Sequence, residues 1–184
     1  MELRVDNLSE RLLVLRCQTG DAAAYRELIR LFGPRLRYFL AKIAASPDRA
    51  EDLAQEVWLD VLRQLPRLQN SAAFKTWLYK IAYGKAMLDL RRRGRLPQAE
   101  ADSEQLEQVE DPSENDFSSE DVARVHLAID RLRPSLRDVI VLRFMEELTY
   151  DEIGLIVQCP VGTVRSRIYY AKQQLRRILD IESA

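Results

Sequence analysis

Residues 148–179 read LTYDEIGLIVQCPVGTVRSRIYYAKQQLRRIL. Thr149 and Glu152 have the T-x-x-E spacing of a capping box, in which each side chain satisfies a free backbone N–H at a helix start. Ile153, Ile156 and Val157 then recur on one face. The helix stops at Gln158-Cys159-Pro160, because proline cannot continue it. A second helix begins at Val161, with Val164, Ile168, Ala171 and Leu175 as its buried stripe. A short helix, a tight turn and a second helix make a helix-turn-helix. The outer face of the second helix carries Thr163, Arg165, Ser166, Arg167 and Lys172, with Tyr169 and Tyr170 interleaved. In such a motif the first turns of the second helix enter the DNA major groove. Arginine there grips guanine edges or phosphates, and hydroxyls reach either. A basic face alone fits a solvated bundle helix; the cap, turn and basic face together favour DNA.

Upstream, Arg133-Pro134 opens a helix with Leu136, Val139, Ile140 and Leu142, and Ser118 or Ser119 caps one with Val122, Val125, Ile129 and Leu132. Residues 96–117, LPQAEADSEQLEQVEDPSENDF, are acidic and lack periodicity, so a linker without fixed structure is expected. Further upstream, four more helices follow from the spacing. Asn7 or Ser9 caps the first, which carries Leu12, Leu13 and Leu15 and ends at Gly20. The second, capped by Asp21, holds Tyr25, Leu28, Ile29, Phe32, Leu36, Phe39, Leu40 and Ile43, with a kink expected at Gly33-Pro34. Ser46-Pro47 opens the third, with Ala50, Leu53, Ala54, Val57, Trp58, Val61, Leu62 and Leu65 inward and Glu51, Asp52, Gln55, Glu56, Asp60, Arg63 and Gln64 outward. Ser71 caps the fourth, in which Phe74, Trp77, Leu78, Ile81 and Ala82 precede Arg91-Arg92-Arg93-Gly94. No segment alternates with period two long enough for a strand. The expected fold is all-α, with two small helical domains, 1–95 and 118–184, joined by the acidic linker 96–117.

The net charge of −1 conceals segregation. Residues 1–95 hold 18 Lys/Arg against 11 Asp/Glu, residues 96–121 hold none against 10, and residues 122–184 hold 10 against 8. Two basic or neutral lobes therefore flank an acidic stretch. The basic residues Lys75, Lys80, Lys85 and Arg91 to Arg95 are interleaved with Phe74, Trp77, Tyr79 and Tyr83, a pattern suited to opened or single-stranded nucleic acid. Phe74, Trp77 and Ile81 have core spacing; Tyr79, Tyr83 and the lysines are expected at the surface. One histidine, His126, and two separated cysteines, Cys17 and Cys159, supply neither a metal site nor a histidine-based catalytic centre. Asp52 and Glu56 share a helix face but lack the pocket and partner of a carboxylate active site, so that face is either solvated or protein-binding. No catalytic, cofactor-binding or metal residue is expected. No membrane-length apolar run or signal core occurs, which points to the cytoplasm.

GDAAAYRELIRLFGPRL, AEDLAQEVWLDVLRQL, FKTWLYKIA and LDLRRRGR resemble domain two of the extracytoplasmic-function (ECF) sigma factors. LRPSLRDVIVLRFMEELTYDEIG and CPVGTVRSRIYYAKQQLRR resemble their domain four. The resemblance covers nearly the whole chain outside the linker, and it implies roles. Asp52, Gln55, Glu56 and Arg63 would dock on the clamp helices of the polymerase β′ subunit, and domain four would meet the β flap. Leu68, Gln69, Asn70 and Ser71, with Lys75, Tyr79, Lys80, Tyr83, Arg91, Arg92 and Arg93, would bind the minus-ten promoter element and hold a flipped base. Thr163, Arg165, Ser166, Arg167, Tyr169, Tyr170 and Lys172 would face the minus-thirty-five element. The linker would thread toward the active-site cleft, and an anti-sigma protein is a possible partner. The family usually carries Asn where this chain has Gly84, Asp where it has Leu88, a basic residue at Tyr170 and Gly at Gln158. Two other functions fit parts of the chain: a plain helix-turn-helix regulator, which leaves the first 95 residues unexplained, and a sigma-like adaptor without initiation activity.

Overall fold

In the computed structural model of the chain, residues 2–44, 46–94 and 122–183 are described. Two compact units result, Met1–Arg95 and Leu96–Ala184. The described residues are helical, with no strand among them, so the all-α expectation holds. The proposed linker 96–117 and the caps Ser118 and Ser119 lie outside the described residues.

The first unit holds α1 (Glu2–Gln18), α2 (Ala22–Ile43), α3 (Pro47–Gln64) and α4 (Phe74–Arg92). Helix α1 begins before both expected caps, so Asn7 and Ser9 stand inside it. It buries Leu13, Val14 and Cys17, while Leu12 and Leu15 are exposed, because residues 13, 14 and 17 share one face of a 3.6-residue repeat. Asp21 caps α2, its Oδ1 accepting from the N–H groups of Ala23 and Ala24 at 2.8 and 3.0 Å. The helix runs on through Pro34. Ser46 caps α3 and Pro47 fills its first turn, where a missing N–H costs nothing. Leu28, Phe32, Leu36, Phe39 and Leu40 of α2 meet Leu53, Val57 and Val61 of α3 and Phe74, Leu78 and Tyr79 of α4 in the core. Phe32 and Phe74, and Phe39 and Tyr79, pack edge-on with centroids 5.2 Å apart. Leu62, expected inside, is 54% exposed.

The second unit holds α5 (Val122–Asp130), α6 (Pro134–Ile140), α7 (Tyr150–Val157) and α8 (Val161–Ser183). Between α6 and α7 the chain makes a π turn over Val141–Met145. Val139 and Ile140 at the end of α6 and Val141 and Leu142 in the turn are buried in succession, which a regular amphipathic surface helix does not do. Ile129, Leu132, Leu148, Ile153, Ile156, Val164, Ile168 and Leu175 complete that core.

Candidate nucleic-acid interface

The helix-turn-helix is built as its capping residues require. The N–H of Thr149 donates to Glu152 Oε2 at 2.8 Å, and the N–H of Glu152 donates to Thr149 Oγ1 at 3.3 Å. Helix α7 ends at Gln158, which adopts the left-handed conformation with φ 56° and ψ 46°. The chain thereby folds back, and the N–H of Cys159 donates to Gly154 O at 3.2 Å. A Cβ on Gly154 would sit 2.9 Å from Cys159 O, so only glycine fits this closeness without a shift.

Helix α8 presents Arg165 exposed and Thr163, Ser166, Arg167, Tyr169, Tyr170 and Lys172 half-buried. The Ser166 hydroxyl donates within its own helix, 3.2 Å from Gly162 O and 3.1 Å from Thr163 O, so it meets a ligand as an acceptor. Arg167 reaches back to the turn, its Nη1 3.8 Å from Cys159 Sγ. Tyr169 and Tyr170 pack edge-on at 5.5 Å, and Lys172 Nζ lies 5.3 Å from the Phe144 ring. Arg165 is therefore the cation of this face standing furthest into solvent.

In the first unit Lys80, Arg91, Arg92 and Arg93 are exposed and Lys75 and Tyr83 half-buried. Tyr79 is a correction: it is fully buried against Phe39 and cannot offer its ring to a base. Helix α4 packs against both α2 and α3, and its buried face runs through Leu78, Tyr79, Ala82, Ala86 and Leu90 rather than through Trp77 and Ile81, which are half-buried. Between α3 and α4, Gln69 and Asn70 are exposed and Leu68 and Ser71 half-buried. Asn70 rather than Ser71 makes the local cap, its Oδ1 accepting from the Ala72 N–H at 3.0 Å.

Helix α3 sets Asp52, Gln55, Leu59, Leu62 and Arg63 in solvent at spacings of three and four, one continuous face. The sequence reading missed Leu59 and misplaced Leu62; a second apolar stripe behind the first was the available signal. Glu56 is turned toward α4, where Lys85 Nζ lies 3.6 Å from its carboxylate and 2.9 Å from Asp60. Arg49 bridges Asp52 at 3.3 Å, Glu56 at 3.4 Å and the buried Asp89 at 2.9 Å. Arg93 Nε donates to the same Asp89 oxygen, Oδ1, at 3.1 Å. Burial pushes the Asp89 carboxyl up, but the hydrogen bonds and charges of Arg49 and Arg93 outweigh it and hold it below the usual carboxylate range. Among the described residues no group of three or more His, Cys, Asp or Glu could hold a metal ion, and no helix is long and apolar enough to cross a membrane.

Residues 28–96 match the sequence family Sigma-70 region 2, and residues 116–175 match Sigma-70, region 4. The chain is 34% identical over 178 residues to the RNA polymerase sigma-H factor of Pseudomonas aeruginosa, covering 91% of this chain and 92% of that one. It is 34% identical over 181 residues to the ECF RNA polymerase sigma-E factor of Escherichia coli, covering 92% and 94%. Among solved structures it is similar to RpoE of Bartonella quintana, crystallised with the anti-sigma factor NepR, at a TM-score of 0.65 and 25% identity, covering 85% and 97%. It shares the fold of CnrH, solved with the cytosolic domain of CnrY, at a TM-score of 0.65 and 22% identity over 94% and 97%. With two region matches in order and relatives aligned nearly end to end, the chain belongs to the sigma-70 family, in its ECF group.

Proposed function

We propose that this chain is an alternative sigma factor: it binds core RNA polymerase, reads two upstream promoter elements and holds melted DNA open. The carrying observation is the pairing, in one chain of this family, of a capped helix-turn-helix exposing Arg165 with a first unit exposing Gln69, Asn70 and Arg91 to Arg93. Sigma action needs no bond chemistry. Capturing unstacked bases favours the open state over the closed one, which shifts the equilibrium between them. The chain is accordingly not an enzyme and works in the cytoplasm, where its polymerase is.

The β′ clamp helices would seat on Asp52, Gln55 and Arg63, with Leu59 and Leu62 supplying the apolar centre and Glu56 supporting through Arg49 and Lys85. The minus-ten element would lie along Leu68 to Ser71, Lys75, Lys80, Tyr83 and Arg91 to Arg93. The minus-thirty-five element would face Thr163, Arg165, Ser166, Arg167, Tyr169, Tyr170 and Lys172. The domain limits 1–95, 96–117 and 118–184 belong to the same proposal, with the second unit meeting the β flap and an anti-sigma factor as the regulating partner. Gly84 and Leu88 are both exposed on α4, so the side chains the family usually brings there are absent from this surface. That favours a promoter code of its own and keeps the adaptor as the second reading.

The test mixes the purified chain with bacterial core RNA polymerase and genomic fragments and sequences the run-off transcripts. New start sites sharing two spaced upstream elements establish a sigma factor. Core binding without initiation favours the adaptor. Duplex binding without core binding favours a simple regulator.

A further inference from the structure

The stretch between α3 and α4 consists of two single 3-10 turns, Leu65–Arg67 and Ser71–Ala73, with extended backbone at Leu68 and Asn70, whose ψ angles are 110° and 101°. Its own bonds are few and local: Leu68 N–H to Leu65 O and Ala73 N–H to Asn70 O, both 3.0 Å, Phe74 N–H to Ser71 O, and the Asn70 cap. A tie to another element comes from Gln18, in the last turn of α1. Its Nε2 donates to Leu65 O at 3.0 Å and to Leu68 O at 2.6 Å, so both amide protons are spent on loop carbonyls. Gln18 is itself fixed from behind. Gly20, at φ 85°, turns the chain and donates its N–H to Cys17 O at 3.0 Å, while Arg16 bridges at 2.7 Å to Asp21, the cap of α2. Gln18 is half-buried, whereas Gln69 and Asn70 stand in solvent, and Gln18 precedes the residues that match region 2.

We propose that Gln18 is a positioning residue for base reading. Its amide clamps the carbonyls of Leu65 and Leu68 and fixes the exposed Gln69-Asn70 against which an unpaired promoter base is read. The inference rests on the assignment of this loop to the minus-ten element made above. Discrimination requires polar groups that stay in place when the wrong base arrives, since a loop free to shift follows either base. A clamp outside the reading loop supplies that stiffness without touching DNA.

The test uses the full chain in holoenzyme with core RNA polymerase, on promoters carrying each of the four bases at every minus-ten position. Gln18→Glu keeps the shape but turns acceptors toward two carbonyls; Gln18→Lys keeps a donor. In Gln18→Glu the ratio of initiation between best and worst base is expected to fall on the order of tenfold at one or two positions, as loss of two hydrogen bonds allows. Core affinity stays unchanged, and Gln18→Lys retains most of the ratio. Amide exchange at residues 68–73 of the free chain accelerates in Gln18→Glu. A folded Gln18→Glu with an unchanged ratio overturns the inference. Equal losses on all promoters, tracking a lowered melting temperature or core affinity, also overturn it and leave Gln18 a plain structural residue. Should Gln18→Glu fail to fold, Gln18→Asn, whose shorter arm cannot span both carbonyls, carries the same expectation and the same overturning result. An unaltered chain that initiates nowhere removes the underlying reading as well, and the control shows this before any variant is compared.

Discussion

Tyr25 turns its hydroxyl inward, donating to Trp58 O at 2.6 Å, with the two rings edge-on at 6.3 Å. Burial pushes its phenol from an ordinary 10.0 up to about 12, so the folded chain favours the neutral form. The stability this group contributes is complete below its unfolded pKa of 10.0 and is lost as pH rises toward about 12. Tyr25→Phe should cost about 1 kcal/mol at neutral pH and flatten that alkaline decline, which urea melts on both sides of the window would show. A variant with the same alkaline slope as the parent would refute it. Gln158 is a second residue-scale case. The family's usual Gly at this position was the signal for a left-handed turn, and φ is 56°. Gln158→Gly should raise stability by about 0.5 kcal/mol in thermal melts, relief of the left-handed strain exceeding the added freedom of the unfolded chain.

At the scale of elements, sequence spacing located every α-helix of the described residues, but not the 3-10 and π turns between them and not every face. A single stripe describes α2 well, with Leu28, Phe32, Leu36, Phe39, Leu40 and Ile43 all buried. It is misplaced for α4, whose buried face runs through Phe74, Leu78, Tyr79, Ala82, Ala86, Asp89 and Leu90, while Trp77 and Ile81, expected inward, are half-buried. Tyr79 thus left the surface, and Asp89 entered the interior with Arg49 and Arg93 as partners. The opposite error occurred on α3, where Leu62 completes the apolar count but stands with Leu59 in solvent. Both errors concern residues adjacent to the main stripe, where neighbouring elements rather than periodicity decide. The turn between α7 and α8 depends on the contact of Gly154 with Cys159 O. Gly154→Val should destabilise the chain by about 2 kcal/mol and weaken duplex contacts at the minus-thirty-five element, measurable by calorimetry and by initiation on promoters with that element scrambled. Full stability in that variant would show that the turn opens freely.

For the whole molecule, the two-unit division was legible mainly through charge, since a long acidic stretch without apolar periodicity separates two helical segments. Each unit has a core of its own, from Leu13 to Leu90 in the first and from Ala128 to Leu175 in the second. Residues 1–95 expressed alone should therefore give a cooperative far-ultraviolet circular-dichroism melt. A gradual, non-cooperative loss of ellipticity would mean that the first unit needs the rest of the chain. What the sequence did not show was the route by which one helix restrains a distant loop, as Gln18 does. Hydrogen bonds from a side chain to backbone carbonyls 47 and 50 residues away leave no periodic trace.

The π turn at Val141–Met145 gives this chain slack in its length at one point. A π turn holds one residue more than the α-helical turn it replaces, so it behaves as an accommodated insertion. Deleting the exposed Phe144 would undo that insertion and let the backbone relax to ordinary helix, with Val141 and Leu142 still in the core. The residues beyond would keep their facing, including the Thr149 box and the helix bearing Arg165. Loss of the Phe144 codon should therefore be far less damaging than a single-codon deletion inside α8, where every residue beyond would arrive rotated by about 100°.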